Sequence, residues 1–311
     1  MPRPTRRFTR LKRRVAALSL AALLLPQSAL RAQEASRERD AVRAQLEARI
    51  ARIPGAEVGI AVRDLSSGEA LSINGDVVFH AASTMKVPVL IDLMREVDAG
   101  RLQLDQSILL VNTYHSIVDG TPYQLQSADD SDSLVFSRIG EMVPLRWLAE
   151  RMITHSSNLA TNALIAVLDP LRITRTMERF GARHTQVLRG VEDSKAYAAG
   201  RNNVTSADDL ASILVALERQ QTASAAMTAV MRDFLTRQVF NDQIPAGLPT
   251  GTRVAHKTGF ITATLHDAAI IYPSQRPPFV LVVLTRGISD RKVAEQLSAD
   301  IAAITWQWLV R

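Results

Sequence analysis

The sequence predicts an α/β (α+β) chain, with one antiparallel sheet formed from both chain ends, flanking helices, and an all-helical lobe inserted between. Three observations predict it. Strand-like alternation occupies residues 58–74 and returns at 253–285, helix-period patterns fill the interval, and an amphipathic pattern closes the chain. A chain of 311 residues, 47% of them hydrophobic, can bury a sizeable core as one large domain or two interleaved halves. The expected sheet lobe spans 33–82 and 239–311, and the helical lobe spans 83–238.

Each element has its own signal. Residues 35–52 place Val42, Leu46 and Ile50 at i, i+4 and i+8, an amphipathic helix ended by Pro54-Gly55. Val58, Ile60 and Val62 alternate with Gly59, Ala61 and Arg63 as in a half-buried strand, and Ser66-Ser67-Gly68 turns into a second strand at 70–74. From Ser83 the pattern becomes helical. Residues 87–94 are apolar on nearly all sides except Asp92, which predicts a buried helix stopping at Gly100. Pro144 opens a helix carrying Leu148 and Met152, and another runs over 159–168. Thr205-Ser206 before Asp208 and Asp209 reads as a helix cap. Strands follow at 253–259, 266–272 and 279–285, then a helix with Val293, Leu297, Ile301 and Trp308.

Residues 1–32 read as a secretory signal. They hold eight basic side chains and no acid, with an apolar run over 15–25 that is short for a membrane-spanning helix. Cleavage is expected near Ala29 or Ala32, an uncleaved anchor being the alternative, and Arg6-Arg7 hints at twin-arginine export. The expected location is periplasmic or secreted. Taking those eight from the 37 basic residues leaves 29 against 31 acidic ones, so the basic balance of the whole chain argues for neither nucleic acid nor anionic membrane as a partner. A monomer acting on a small molecule is expected. The chain has no cysteine, which excludes disulfides, thiolate metal sites and a cysteine nucleophile. Its six scattered histidines show no zinc spacing, there is no phosphate-binding glycine loop, and no cofactor is expected.

Three short motifs carry chemistry: Ser83-Thr84-Met85-Lys86, Ser156-Ser157-Asn158 and His256-Lys257-Thr258-Gly259. A serine needs a nearby base to become a nucleophile. Residues i and i+3 share a helix face, so Lys86 is expected beside Ser83, where burial would disfavour its charge and make it a usable base. Alone, the same spacing fits a serine cap with a lysine reaching to water. Beyond residue 32 the chain has only four lysines, Lys86, Lys195, Lys257 and Lys292, and two of them fall in these motifs. Arginine cannot give up its proton and lysine can, which suits position 86.

In motif order and sheet–helix–sheet layout, over nearly the whole chain beyond the signal, the sequence resembles class A β-lactamases and the related penicillin-binding D,D-peptidases. The resemblance implies that Ser83 is acylated, that Lys86 is its proton partner, and that Ser156 relays a proton to the leaving β-lactam nitrogen. It implies that Asn158 binds the substrate's amide side chain, that Lys257 and Thr258 hold its carboxylate, and that the N–H groups of Ser83 and Phe260, just past Gly259, form the oxyanion hole. Glu192, in Arg189-Gly190-Val191-Glu192-Asp193, stands where the family has the glutamate that activates water for deacylation. His266 falls near the family's substrate-binding arginine, for which Arg286 or Arg291 are substitutes; paired with Asp267 or a strand neighbour, His266 would be structural.

Departures are explicit. Ser157 replaces an Asp, Ala196 stands where an Asn helps hold the water, and Gly190 and Asn203 fall near an Arg–Asp pair that commonly pins the loop. Two alternatives to a β-lactamase remain open: a penicillin-binding or cell-wall peptide-processing enzyme with a long-lived acyl-enzyme, and a non-catalytic sensor of β-lactams or muropeptides. The polar stretch 114–132 either rims the cleft or is a surface loop.

Overall fold

The computed structural model describes residues 27–310, so the expected signal lies outside the described residues except for its end. Contacts divide the chain into a unit ending at Glu38 and a second from Arg39 to Arg311, which carries the sheet and every motif residue. Among the described residues, no helix is long and apolar enough to cross a membrane.

Helix α1 (Gln27–Ile50) starts upstream of its predicted position and leads to strands β1 (Glu57–Asp64), β2 (Ala70–Ile73) and β3 (Phe79–His80). A 3₁₀ turn (Ala82–Met85) precedes helix α2 (Lys86–Asp98). Strands β4 (Ser107–Leu109), β5 (Tyr114–His115) and β6 (Pro122–Tyr123) follow, then α3 (Ser133–Phe136), β7 (Met142–Pro144), α4 (Leu145–Thr154), α5 (Asn158–Val167) and α6 (Pro170–Glu178). Next come α7 (Ser194–Ala198), β8 (Val204–Thr205), α8 (Ala207–Glu218) and α9 (Ala225–Thr236). Strands β9 (Arg253–Ile261), β10 (Thr264–Tyr272) and β11 (Phe279–Arg286), with helix α10 (Arg291–Leu309), complete the chain.

The principal sheet has the order β2-β1-β11-β10-β9 and is antiparallel throughout. Strand β1 pairs with β11 in the register Val58↔Thr285 and Ile60↔Val283, which stitches the two chain ends together. Alternation then sorts side chains by face. Phe279, Leu281 and Val283 pack with Val58, Ile60 and Val62 against Val42 and Leu46 of α1 and Leu297 and Ile301 of α10. Val280, Val282 and Leu284 join Ala61 and Ala268 in the other core, with Val89, Leu90 and Leu93 of α2 and Leu210 and Leu214 of α8. Strand β11 is therefore buried on both faces and apolar almost without interruption, unlike the polar-out pattern of a one-sided sheet.

The interval 83–238 is mostly helical but also contains strands. Ladders β4–β7 and β5–β6 lie within it, and β8 pairs with β3 just upstream. Two of these ladders fall in the polar stretch 107–144, where helical periodicity lapses. Pro144 sits at the N-cap of α4, outside the hydrogen-bonded turns its missing N–H could not serve. Ser206 caps α8 as its sequence suggests, its side chain accepting from Asp209 N at 3.2 Å.

Candidate active site

Ser83 lies in the 3₁₀ turn that enters α2, on a backbone set by its neighbours. Ala82 has φ 46°, a left-handed conformation uncommon outside glycine. Its N–H donates to His80 Nδ1 at 3.0 Å, and Thr84 Oγ1 donates to Ala81 O at 2.6 Å. Strand β9 runs close alongside. A Cβ at Gly259 would stand 3.1 Å from Ser83 N and 3.2 Å from Ala82 Cβ, so any side chain there would push the strand and the serine turn apart by a few tenths of an ångström. The cap of α2 is Met85, not Ser83, and Lys86 is fully buried instead of reaching to water.

The three hydrogen bonds of Lys86 Nζ all go to the second motif: Ser156 O at 2.6 Å, Ser156 Oγ at 3.1 Å and Asn158 Oδ1 at 2.9 Å. Burial pushes the Lys86 ammonium down to about 7, while the carboxylates of Asp130 and Glu192 oppose that shift. Ser156 has φ 59°, and Ser157 is the N-cap of α5, its hydroxyl accepting from Ala160 N at 3.2 Å. Asn158 is bipolar in its contacts. Its Oδ1 accepts from Lys86, and its Nδ2 donates to Glu192 Oε1 at 2.8 Å.

Glu192 also has a left-handed backbone, φ 64°. Of six non-glycine residues with positive φ among those described, Ala82, Ser156 and Glu192 converge here, and such strain persists only where surroundings over-determine it. Hydrogen bonds from several elements tie the loop down. Asn162 Oδ1 accepts from Val191 N at 2.7 Å while its Nδ2 donates to Val191 O at 3.0 Å. Asp193 caps α7 and accepts from Ser116 Oγ at 2.9 Å and Ile117 N at 3.0 Å. Asn203 Oδ1 accepts from the N–H groups of Leu188 and Arg189, and its Nδ2 donates to Arg189 O. The Arg189 side chain donates to Arg201 O, Gly190 O and Asn202 Oδ1. Desolvation raises the Glu192 carboxyl, the Asn158 bond lowers it, and Asp130 and Asp129 raise it further.

The third motif contributes Thr258 and Gly259 to the same cleft as Ser83. Lys257 is fully buried and donates to Thr258 O at 2.9 Å; burial, with Lys86 nearby, pushes its ammonium well below the usual range. Thr258, Gly259 and Phe260 line a cleft of about 190 Å³ together with Ser83, Ser156, Asn158, Asp129, Ser131 and Arg291. The Arg291 guanidinium stacks over Phe260 at 5.0 Å and bonds Glu295. A larger cavity of about 600 Å³ lies away from Ser83, where Asp92 and Glu96 already pair with arginines, so size does not mark the reactive centre.

His266 is not part of this cleft. It is wholly buried, and its Nε2 donates to His80 O at 2.8 Å. Burial pushes the imidazole down to about 4, so it is neutral, and its Nδ1 accepts from Thr285 N at 3.2 Å. It braces the strand end leading to Ser83 and cannot hold a substrate carboxylate. Asp267 pairs with His256, at 2.9 Å, not with His266. Of the two arginines considered as substitutes, Arg291 reaches the cleft, whereas Arg286 is held by Glu57.

Several residues carry no motif signal. Asp129, Ser131 and Gln243 line the cleft, and Gln243 is 4% exposed with Oε1 lacking a partner. The stretch 114–132 thus rims the cleft and also props the Glu192 loop, through Ser116, Ile117 and a bond from Tyr123 Oη to Val191 O at 3.3 Å. Among the described residues no group of acids and histidines is arranged to hold a metal ion.

The chain is similar to known proteins in sequence and in fold. The profile of the family described as Beta-lactamase enzyme family matches residues 41–309. The extended-spectrum beta-lactamase PER-1 of Pseudomonas aeruginosa is 26% identical over 265 residues, covering 81% of this chain and 82% of its own. Among solved structures, a beta-lactamase from Sphaerobacter thermophilus has 28% identity and a TM-score of 0.73, covering 86% of this chain and 95% of its own. PBP-A, at 26% identity, has a TM-score of 0.74 over 86% of this chain and 94% of its own. The sheet drawn from both chain ends and the match along 41–309 lead to one conclusion: this chain belongs to the beta-lactamase enzyme family, as a serine hydrolase of the class A type.

Proposed function

We propose that the protein opens β-lactam rings through an acyl-enzyme on Ser83, hydrolysed by water that Glu192 activates. The observation that carries this reading is the chain Lys86–Asn158–Glu192, in which one amide, lining the serine's cleft, bridges a buried lysine and a half-buried glutamate. Ser83 Oγ attacks the lactam carbonyl and its proton passes to neutral Lys86. The C–N bond then breaks, and Ser156, bonded to Lys86, returns a proton to the ring nitrogen. The carbonyl oxygen is received by the N–H groups of Ser83 and Phe260. Ionised Glu192 then takes a proton from water, whose oxygen attacks the acyl carbon; the bond to Ser83 Oγ breaks and the proton returns to that oxygen, restoring the hydroxyl and the ionised Glu192.

Thr258 and Arg291 line the cleft and, with the buried Lys257 bonded to Thr258 O, form the end of the site suited to the substrate's carboxylate. A carboxylate would favour the charged form of Lys257, which burial otherwise disfavours. Asn158 Nδ2 is bound to Glu192, so a substrate amide must share or displace that bond. The basic and apolar segment at the start of the sequence supports export as part of this proposal, to the side of the membrane where β-lactams arrive.

A second reading has its own support. Ala196 is buried and has no polar group to help hold a water at Glu192, and the likeness extends to PBP-A, of which a mutant is described as an acyl-enzyme complex with penicillin G. Deacylation would then be slow and the adduct long-lived. Intact mass and free benzylpenicillin followed over time separate the two. A transient adduct with continuing loss of penicillin supports the β-lactamase; one stable equivalent of adduct supports the penicillin-binding enzyme; no adduct at all refutes both.

A further inference from the structure

Asp130 belongs to none of the three motifs, yet its carboxylate sits where the second one is assembled. Oδ2 accepts from the backbone N–H of Asn158 and of Leu159, both at 2.9 Å, and from Ser157 Oγ at 3.3 Å. These are the first two N–H groups of α5, which the helix itself cannot pair, and a negative charge there opposes the positive end of the helix dipole. The Ser157 hydroxyl is already the acceptor for Ala160 N, so the start of the helix depends on a group from elsewhere.

The loop bearing Asp130 is itself anchored. Ser131 Oγ donates to His155 O at 2.7 Å, and Asp132 accepts two bonds of 2.5 Å from Arg151 while 4% exposed. Asp132 N donates to Asp130 Oδ1 at 2.9 Å, which leaves both carboxylate oxygens engaged. The carboxylate is therefore a fixed strut.

We propose that Asp130 is a positioning residue of this active site, holding the start of α5 so that Ser156 and Asn158 meet Lys86. The proposal rests on the functional reading above. The Asn158 main chain is bonded to Asp130 while its side chain joins Lys86 to Glu192, so a shift at that residue displaces both partners at once. The same charge acts on the base: Lys86 is faced by Asp130 and Glu192, which favour its protonated form, and Lys257 is the neighbouring cation. The hydroxyl at 157 leaves the motif without a carboxylate of its own, and Asp130 supplies one from the adjacent loop.

The test compares the parent with Asp130→Ala, Asp130→Asn, and Asp130→Ala combined with Ser157→Asp. Acylation of Ser83 by benzylpenicillin is timed by intact mass, and amide exchange is followed at Asn158 and Leu159. A misplaced site costs about 10²-fold in rate, which is the loss expected in Asp130→Ala, with Ser157→Asp recovering about tenfold of it. Asp130→Asn keeps an acceptor but removes a charge, so the acid limb of acylation moves to lower pH, a shift that a purely structural carboxylate would not produce. Unchanged acylation in Asp130→Ala overturns the proposal, as does a loss that Ser157→Asp fails to lift together with an unmoved acid limb. If the parent forms no adduct, the β-lactam reading has failed, and exchange decides for Asp130 alone. Amide protection lost in Asp130→Ala and regained with Ser157→Asp upholds its role, and unchanged protection overturns it.

Discussion

The Ser83–Lys86 corner and the Glu192 loop meet at Asn158, but they are held in place by different forces. Lys86 opens a helix whose residues Val87 to Met94 are buried, so the corner is positioned by core packing between the helices and the sheet. Glu192 lies between two α-helices on a loop positioned by hydrogen bonds from Asn162, Asn203, Asp193 and Arg189. Packing is collective and tolerates the loss of one contact as a fraction of a large sum, whereas directional bonds fail singly and locally. The step assigned to the first region should therefore be as robust as the fold, and the step assigned to the second should be separable from it.

Substitutions can break that contrast. The largest effect is expected from Ser83→Ala, which removes both the covalent adduct and turnover in an intact-mass and hydrolysis assay. Glu192→Gln should leave adduct formation in place and slow hydrolysis by about 10²- to 10⁴-fold, so that adduct accumulates. Parallel losses in both steps would show that the two regions are not separable. Leu90→Ala deletes fully buried packing beneath Lys86, and a loss of about 2–5 kcal/mol is expected in denaturant unfolding, acting on the whole molecule.

Asn203→Ala sharpens the other side. It leaves the N–H groups of Leu188 and Arg189 without their acceptor, at about 1–3 kcal/mol, and its effect should appear in hydrolysis of the adduct before it appears in adduct formation. The smallest effect is the pH dependence of the parent. With Lys86 held at about 7 by burial, its neutral form grows as pH rises through that value, and adduct formation should increase about tenfold from pH 6 to 8. Hydrolysis requires Glu192 ionised, and its raised carboxyl means that this step is lost at a higher pH than for an ordinary glutamate as the solution is acidified. A flat profile for adduct formation would argue against Lys86 as the base.

Much of this was legible in the sequence because it depends on local periodicity. Alternation at 58–62 and 279–285, the apolar run at 87–94 and the cap at Ser206 each follow from backbone geometry acting over a few residues. The order of the three motifs supplied the family, which the match along 41–309 shows. What local pattern leaves open is equally specific. The neighbourhood of His266 suits either a substrate clamp or a structural histidine braced by a strand neighbour, and the structure decides for the second: its ring packs edge-on to Phe79 and bonds His80 O and Thr285 N. The ladders at 107–144 have strands of two or three residues, too short to show a period.

The sequence by itself determined the antiparallel sheet built from both ends, the helices around it, and the residue types able to carry acyl transfer, because propensity and burial pattern are written in neighbouring residues. Only the tertiary structure decided that Lys86 bonds to the second motif, that Arg291 and not Arg286 reaches the cleft, and that Asp130 caps the helix at Ser157. Those contacts join residues far apart in the chain, and their partners follow from where the packed core places each element, which no local pattern encodes.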